Sequence, residues 1–294
     1  MFPDMYHALL RADFRLFMAK CFAETNPATR YLPNWHIDLI GEYLAACEAG
    51  DITRLIINMP PRMCKSLTVS VAWPAWLLGH GAHRRIMAAS YSQHLSLKHA
   101  QDCRLILQSE WYQETFEKTR IAHGENEKHK LVTTARGQRF ATSVLGTATG
   151  EGGDFLIVDD PLNPLQASSR TARDAANQWF DQTFASRLDD KQRGVIVVVM
   201  QRLHAEDLSG HLLAKGGWEH LCLPAIAPSR ISLAKGVVKK RRNAGGLLHA
   251  AREGMKEMER AKRELGSAAF AAQYQQNPLA EEGGMIKLEW FGRY

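Results

Sequence analysis

The chain has 294 residues, 45% of them hydrophobic and 23% charged, which excludes a disordered, collagen-like or disulfide-stapled protein and fits one large α/β domain with a small appendage. No apolar run approaches the ~18 residues of a membrane span, and the first residues lack a basic flank followed by an apolar core, so neither a membrane segment nor a signal peptide is expected. The net charge of +6 is uneven: residues 1–225 balance to zero, and the whole excess lies in residues 226–294, densest at Lys239-Lys240-Arg241-Arg242. Such a block either attracts a polyanion by counterion release or forms a solvated loop. The cysteines (Cys21, Cys47, Cys64, Cys103, Cys222) are scattered and never in a CxxC pair, which points to a reducing compartment and no zinc site.

In chain order, Trp35–Cys47 places Ile37, Ile40, Tyr43 and Leu44 at helical spacing, with Asn34 as its cap and Gly50 as its stop. Arg54–Met59 is a short apolar run that reads as a buried parallel strand. A helix opens near Cys64-Lys65-Ser66. Residues 84–91 form a second strand, His94–Leu107 a helix, and 130–145 short strands or a hairpin. Phe155–Val158 is a third apolar strand, followed by a helical stretch over 170–188 and the most strand-like segment, 194–200. A helix is predicted over 204–214, an irregular connector over 224–247 and a long helix over 250–275. Apolar strands alternating with helices predict an α/β fold, a mostly parallel sheet covered on both faces. The predicted division is a core over 1–225 and a helical lid or connector over 226–294.

Three segments carry chemistry. In NMPPRMCKS, between a strand and a helix, Lys65 suits the β/γ oxygens of a nucleotide and Ser66 a magnesium ion, at a helix start whose dipole favours phosphate. Both glycines of a standard phosphate loop are missing, with Met59 and Cys64 in their places, so a chance Lys-Ser pair is an equal reading of these residues alone. Cys64 is tolerated there if its backbone is helical; otherwise it weakens nucleotide binding, and its thiol exposes the loop to oxidation. Asp159 and Asp160 end an apolar strand, where one carboxylate can hold magnesium and the next can polarise water; a surface turn at Asp-Asp-Pro is the competing reading. The interval between Lys65 and Asp159 leaves room for an extra strand between the two sites, and residues 84–91 supply one. The strand 195–200 ends in Gln201-Arg202, a place where polar groups can sense a γ-phosphate. His204 and Asp207 read as a helix start with an acidic first turn, in preference to metal ligands.

Together, PNWHIDLIGEYL, NMPPRMCKS, TGEGGDFLIVDDPL, WFDQTFASRL, VIVVVMQRLHAEDLSGHLL, LPAIAP and FAAQYQQNPLAEEGGMI resemble, in order, segments of the large subunit of tailed-phage terminases, the subgroup whose phosphate loop reads Pro-Pro-Arg-x-Gly-Lys-Ser. The resemblance implies a P-loop NTPase of the ASCE, RecA-like type that hydrolyses ATP with Mg2+ to drive double-stranded DNA into a prohead. It implies a small terminase subunit and the portal protein as partners, a homo-oligomeric ring when working, and the bacterial host cytoplasm as location. It places nucleotide against Pro61, Arg62, Met63, Cys64, Lys65, Ser66 and Leu67, with Trp35 and His36 at the adenine. Ser66 and Asp159 would hold the metal, and Asp160 would be the catalytic carboxylate, with Lys65 and Arg62 acting on the phosphates. Gln201 and Arg202 would couple hydrolysis to motion, and Arg139 or Arg187 would act on a neighbouring subunit's nucleotide. The family continues into an RNase H-like nuclease. This chain stops at WFGRY, near where the nuclease would begin, so no nuclease activity is expected of it. Two other readings stay open: a degenerate, non-hydrolysing DNA- or capsid-binding module, and another P-loop DNA-remodelling ATPase.

Overall fold

The computed structural model describes residues 3–124, 127–146 and 150–278. The final part of the last resembling segment and the WFGRY terminus lie outside the described residues. Helices α1 (Pro3–Ala12), α2 (Phe14–Thr25) and α3 (Trp35–Ala49) precede strand β1 (Arg54–Asn58). A wide π-type turn over Leu67–Ala72 leads into α4 (Trp73–His80). Next come β2 (Arg85–Ser90), α5 (Gln93–Gln108), α6 (Glu110–Thr115), β3 (Lys130–Val132), β4 (Gln138–Ser143) and β5 (Phe155–Asp159). After α7 (Arg170–Trp179) and its π and 3-10 extensions to Arg187 come β6 (Val195–Met200), α8 (Leu208–Lys215) and β7 (Glu219–Cys222). A hairpin, β8 (Ile231–Lys235) and β9 (Val238–Arg242), is followed by α9 (Met255–Leu265) and α10 (Ser267–Gln273).

The seven-stranded sheet has the order β3-β4-β2-β5-β6-β1-β7, and every pair in it is parallel except β3 with β4. Alternate residues feed two cores, as the two-residue side-chain period of strands requires. Leu55, Ile57, Ile157, Val197 and Val199 face the layer built from α2 to α5. Ile56, Leu156, Val158, Val198 and Met200 face Trp179, Phe184, Leu208 and Leu212. The strand lying between β1 and β5 is therefore β6; the extra strand read from sequence at residues 84–91, observed as β2, lies on the far side of β5. VIVVVM has no polar face and is buried at all six positions, as an interior strand requires, and its pairing with both β1 and β5 sets its place.

Two other expectations are corrected. The predicted connector over 224–247 contains the β8–β9 hairpin, whose Leu233 and Val238 pack against the main core. The predicted helix over 250–275 is two helices, broken at Gly266 with φ 81°. The region after Ala225 has a small core of its own, Ala225, Met258 and Phe270, and the Phe270 and Tyr274 rings stack 5.1 Å apart.

Candidate active site at the carboxyl edge of the sheet

Parallel pairing sets the site. Asn58 lies beside Met200, and Asp159 beside Val199, so the loop after β1, the carboxylates ending β5 and Gln201 after β6 emerge at one edge. Open parallel sheets bind ligands at this edge. The loop over 59–64 carries two non-glycine residues in the left-handed region, Arg62 at φ 61° and Cys64 at φ 63°, on either side of Met63. Such alternation turns successive N–H groups into a concavity that suits anions. The loop closes onto the next helix when Cys64 O accepts from Thr68 N at 2.9 Å and Thr68 Oγ1 at 2.8 Å.

Lys65 and Asp160 form an ion pair at 2.9 Å, with side-chain exposures of 8% and 21%. Asp159 is buried. Its carboxylate accepts from Ser66 Oγ at 3.1 Å and Ser70 Oγ at 2.7 Å, and His99 Nδ1 lies 3.5 Å away. Burial, then the positive field of Arg139, lowers His99 to about 4, so this imidazole is neutral at pH 7. Asp160 is held at φ 44° between strand ends: its N–H donates to Val199 O, its carbonyl accepts from Tyr91 N, and its Oδ1 accepts from Gln201 N at 3.3 Å. Gln201 is 8% exposed, and its Oε1 is buried beside the cleft without a partner among the described residues. Pro61, Arg62, Cys64, Lys65, Ser66, Leu67, Asp160 and Gln201 thus line one cleft of about 540 Å³, closed on the far side by Phe22, Thr25 and Asn26 from the end of α2.

Several sequence-predicted residues lie elsewhere. Met63 is buried beneath the loop. His36 is 1% exposed; its Nε2 lies 3.2 Å from Met63 O, and its Nδ1 meets Asn34. It supports the 59–64 loop from below and does not line the cleft. Burial, partly opposed by the Met63 carbonyl, lowers it to about 4. Asn34, read as a helix cap, instead donates to Leu248 O at 2.9 Å. The Trp35 ring is covered by Lys240 at 5.6 Å and Arg242 at 5.8 Å. Arg202 turns away from the cleft into a buried pair with Asp207, whose carboxylate caps α8; the helix begins at Leu208, so the acids read as its first turn precede it. Arg139 is 1% exposed and donates to Ser70 O at 3.0 Å, so it is enclosed in its own subunit and unavailable to a neighbour. Arg187 sits beside Gly153, before the start of β5, at the opposite edge of the sheet. The basic block is also divided. Arg242 is buried and donates to the carbonyls of Pro224, Ala225 and Gly246, leaving Lys239 and Arg241 exposed.

The sequence reading missed Ser70 and His99, the further partners of Asp159. Ser70 was findable, four residues after Ser66; His99 left no local signal.

Cys64 does not have the helical backbone that would make it harmless. A left-handed non-glycine residue costs about 1–2 kcal/mol, and glycine's extra unfolded-state freedom returns about 0.5–1. Cys64→Gly is therefore expected to raise the unfolding free energy by about 1 kcal/mol or slightly less, read as a higher urea midpoint at unchanged slope. An unchanged midpoint would show the loop relaxes around cysteine without strain. Burial pushes the thiol pKa up, so Cys64 is protonated rather than a reactive thiolate.

No protein-family model and no curated protein matches the sequence. Solved structures share the fold, among them two of the same terminase. The chain is similar to the large terminase from a thermophilic bacteriophage in complex with ADP (TM-score 0.51, 9% identity, covering 84% of this chain and 53% of that one). It is similar to the same terminase in complex with ATP-gamma-S (TM-score 0.51, 9% identity, 82% and 52%). The chain spans about half the length of these structures. The shared feature is the architecture, a mostly parallel seven-stranded sheet flanked by helices: the RecA-like fold of terminase ATPase domains. Among the described residues no helix is long and apolar enough to cross a membrane.

Proposed function

We propose that this chain is the ATP-hydrolysing motor part of a phage terminase large subunit, driving double-stranded DNA into a prohead. The observation that carries the reading is the meeting of Lys65, Ser66, Asp159 and Asp160 at the carboxyl edge of a terminase-like sheet, with Lys65 2.9 Å from Asp160 and Ser66 3.1 Å from Asp159. Nucleotide bound in the two thermophilic-phage terminase structures supports the same use of the cleft.

The donor set fits Mg2+. Ser66 Oγ and the Asp159 carboxylate are hard oxygens, and magnesium needs only one or two protein ligands beside water and phosphate. When bound, it neutralises charge on the β- and γ-phosphates. The chain's residues do the rest. Lys65 leaves Asp160 for the β/γ oxygens. Asp160, freed, accepts a proton from the water whose oxygen attacks the γ-phosphorus in line while the bond to the leaving β-phosphate oxygen breaks. Gln201 Oε1, without a partner among the described residues, orients that water, and exposed Arg62 takes the developing charge. Residues 1–225 form the ATPase core, and the segment after 225 is a lid that moves when the γ-phosphate is lost. Exposed Lys239 and Arg241 offer contacts to DNA phosphates without sequence preference. A homo-oligomeric ring, the small terminase subunit, the portal protein and the host cytoplasm belong to the same reading. The left-handed Cys64 favours one alternative, a degenerate module that binds but does not hydrolyse.

The test is Mg2+-dependent phosphate release from ATP by the full chain, with and without long duplex DNA. The wild type is expected to hydrolyse ATP faster with DNA, and Lys65→Ala to fall to background. Wild-type turnover in Lys65→Ala rejects the site, whereas tight binding without hydrolysis selects the degenerate module.

A further inference from the structure

Arg252 stands apart from the rest of the cleft. It is the only lining residue that comes from beyond Gln201 among the described residues, and it also borders the smaller cavity beneath Cys64. Four cations line the cleft. Lys65 is paired with Asp160 at 2.9 Å and Lys98 with Asp102 at 2.6 Å. Arg62 and Arg252 are different: among the described residues neither has a carboxylate closer than 4.0 Å, the separation of Arg252 Nε from Glu253 Oε1. The Arg252 side chain is 36% exposed, and its contact with Glu253 lies at the outer limit of an ion pair.

The turn that presents Arg252 is fixed to the phosphate loop. The N–H groups of Arg252 and Glu253 both donate to His249 O at 3.0 Å. His249 is 6% exposed, and its ring centroid lies 5.6 Å from that of His36. His36 in turn contacts the loop carbonyl of Met63, and Asn34 ties down Leu248 O. A continuous set of contacts thus runs from loop to His36 to His249 to the turn, and it ends in a guanidinium whose nearest carboxylate among the described residues is Glu253, at 4.0 Å.

We propose that Arg252 is a nucleotide-contacting residue supplied in cis by the segment after 225: its guanidinium binds the polyphosphate of a nucleoside triphosphate across the cleft from Lys65, so that the position of this segment depends on the bound nucleotide. This inference rests on the nucleotide reading of the cleft. A planar guanidinium takes two phosphate oxygens at once, and such charge-assisted contacts are among the stronger hydrogen bonds. The same segment carries the β8–β9 hairpin, whose Arg242 binds the carbonyls of Pro224, Ala225 and Gly246, so exposed Lys239 and Arg241 report the position of this segment.

The experiment uses the full chain, a fluorescent ATP analogue with Mg2+, and limited trypsin digestion read at Lys239 and Arg241. Arg252→Ala is expected to weaken binding by about 10-fold, with Arg252→Lys recovering part of the loss. ATP is expected to slow trypsin cleavage in the wild type, and this protection to disappear in Arg252→Ala. A purely structural role would leave the nucleotide-dependent part of the cleavage rate unmoved. Wild-type chain that binds no nucleotide overturns both this inference and the reading beneath it. Wild-type binding and protection that Arg252→Ala leaves unchanged overturn this inference alone.

Discussion

Asp160→Asn is expected to cut ATP turnover by about 10²–10⁴-fold, the range of a lost general base, while nucleotide binding stays intact or tightens. The two effects separate because the proposed mechanism gives Asp160 two jobs in succession. Before nucleotide enters, its carboxylate neutralises Lys65 at 2.9 Å. Afterwards, in that mechanism, it takes a proton. Asparagine keeps the size, and its amide oxygen can still accept from Gln201 N, but it neither holds Lys65 strongly nor accepts the proton. Lys65 is then free for the phosphates from the start. Steady-state phosphate release and fluorescent-nucleotide titration distinguish these jobs. Turnover within tenfold of wild type would remove Asp160 from the chemistry. A matched loss of binding and turnover would instead make it a support for the loop.

Most of the frame within which Asp160 acts was legible. β1, β2, β5 and β6 are short apolar runs bounded by turns, and burial of both faces leaves few other ways to write them. Lys65, Ser66, Asp159 and Asp160 were legible because a loop, a helix start and a strand end each demand particular residue types. Strand order was not, because it depends on pairing between distant segments: nothing local in VIVVVM says that it lies between β1 and β5. The β8–β9 hairpin was hidden by its charge. Val238–Arg242 looks like a solvated basic run, yet Lys240 and Arg242 lie over Trp35, and Arg242 is buried on three carbonyls. His36 was misplaced for a similar reason. Its helix was correctly read, but which neighbour that helix face meets is decided by the loop and by His249, which is far away in sequence. At Cys64 the residue type argued against the conformation found, since left-handed backbone is where glycine is expected.

The largest stability effect is expected at Asp207, outside the cleft. Its carboxylate is fully buried and accepts Arg202 Nε at 2.9 and 3.0 Å, together with the N–H groups of Leu203, His204 and Gly210. Asp207→Ala removes the α8 cap and leaves the Arg202 charge nine-tenths buried without its anion. Breaking one side of such a pair costs about 3–5 kcal/mol, whereas an exposed pair contributes about 0–1. Urea unfolding should show the loss as a lower midpoint at unchanged slope; a change below ~1 kcal/mol would mean that water reaches Arg202 once the carboxylate is gone. Asp207→Asn should cost less, because an amide oxygen keeps part of the cap. The consequence reaches the site through the backbone. Arg202 N donates to Gln276 Oε1 at 3.0 Å, and Gln201, next in the chain, donates to Asp160. Arg202 therefore anchors the end of β6 between the segment after 225 and the carboxyl edge of the sheet, and in the proposed motor any coupling it provides works by fixing Gln201 in place rather than by touching nucleotide.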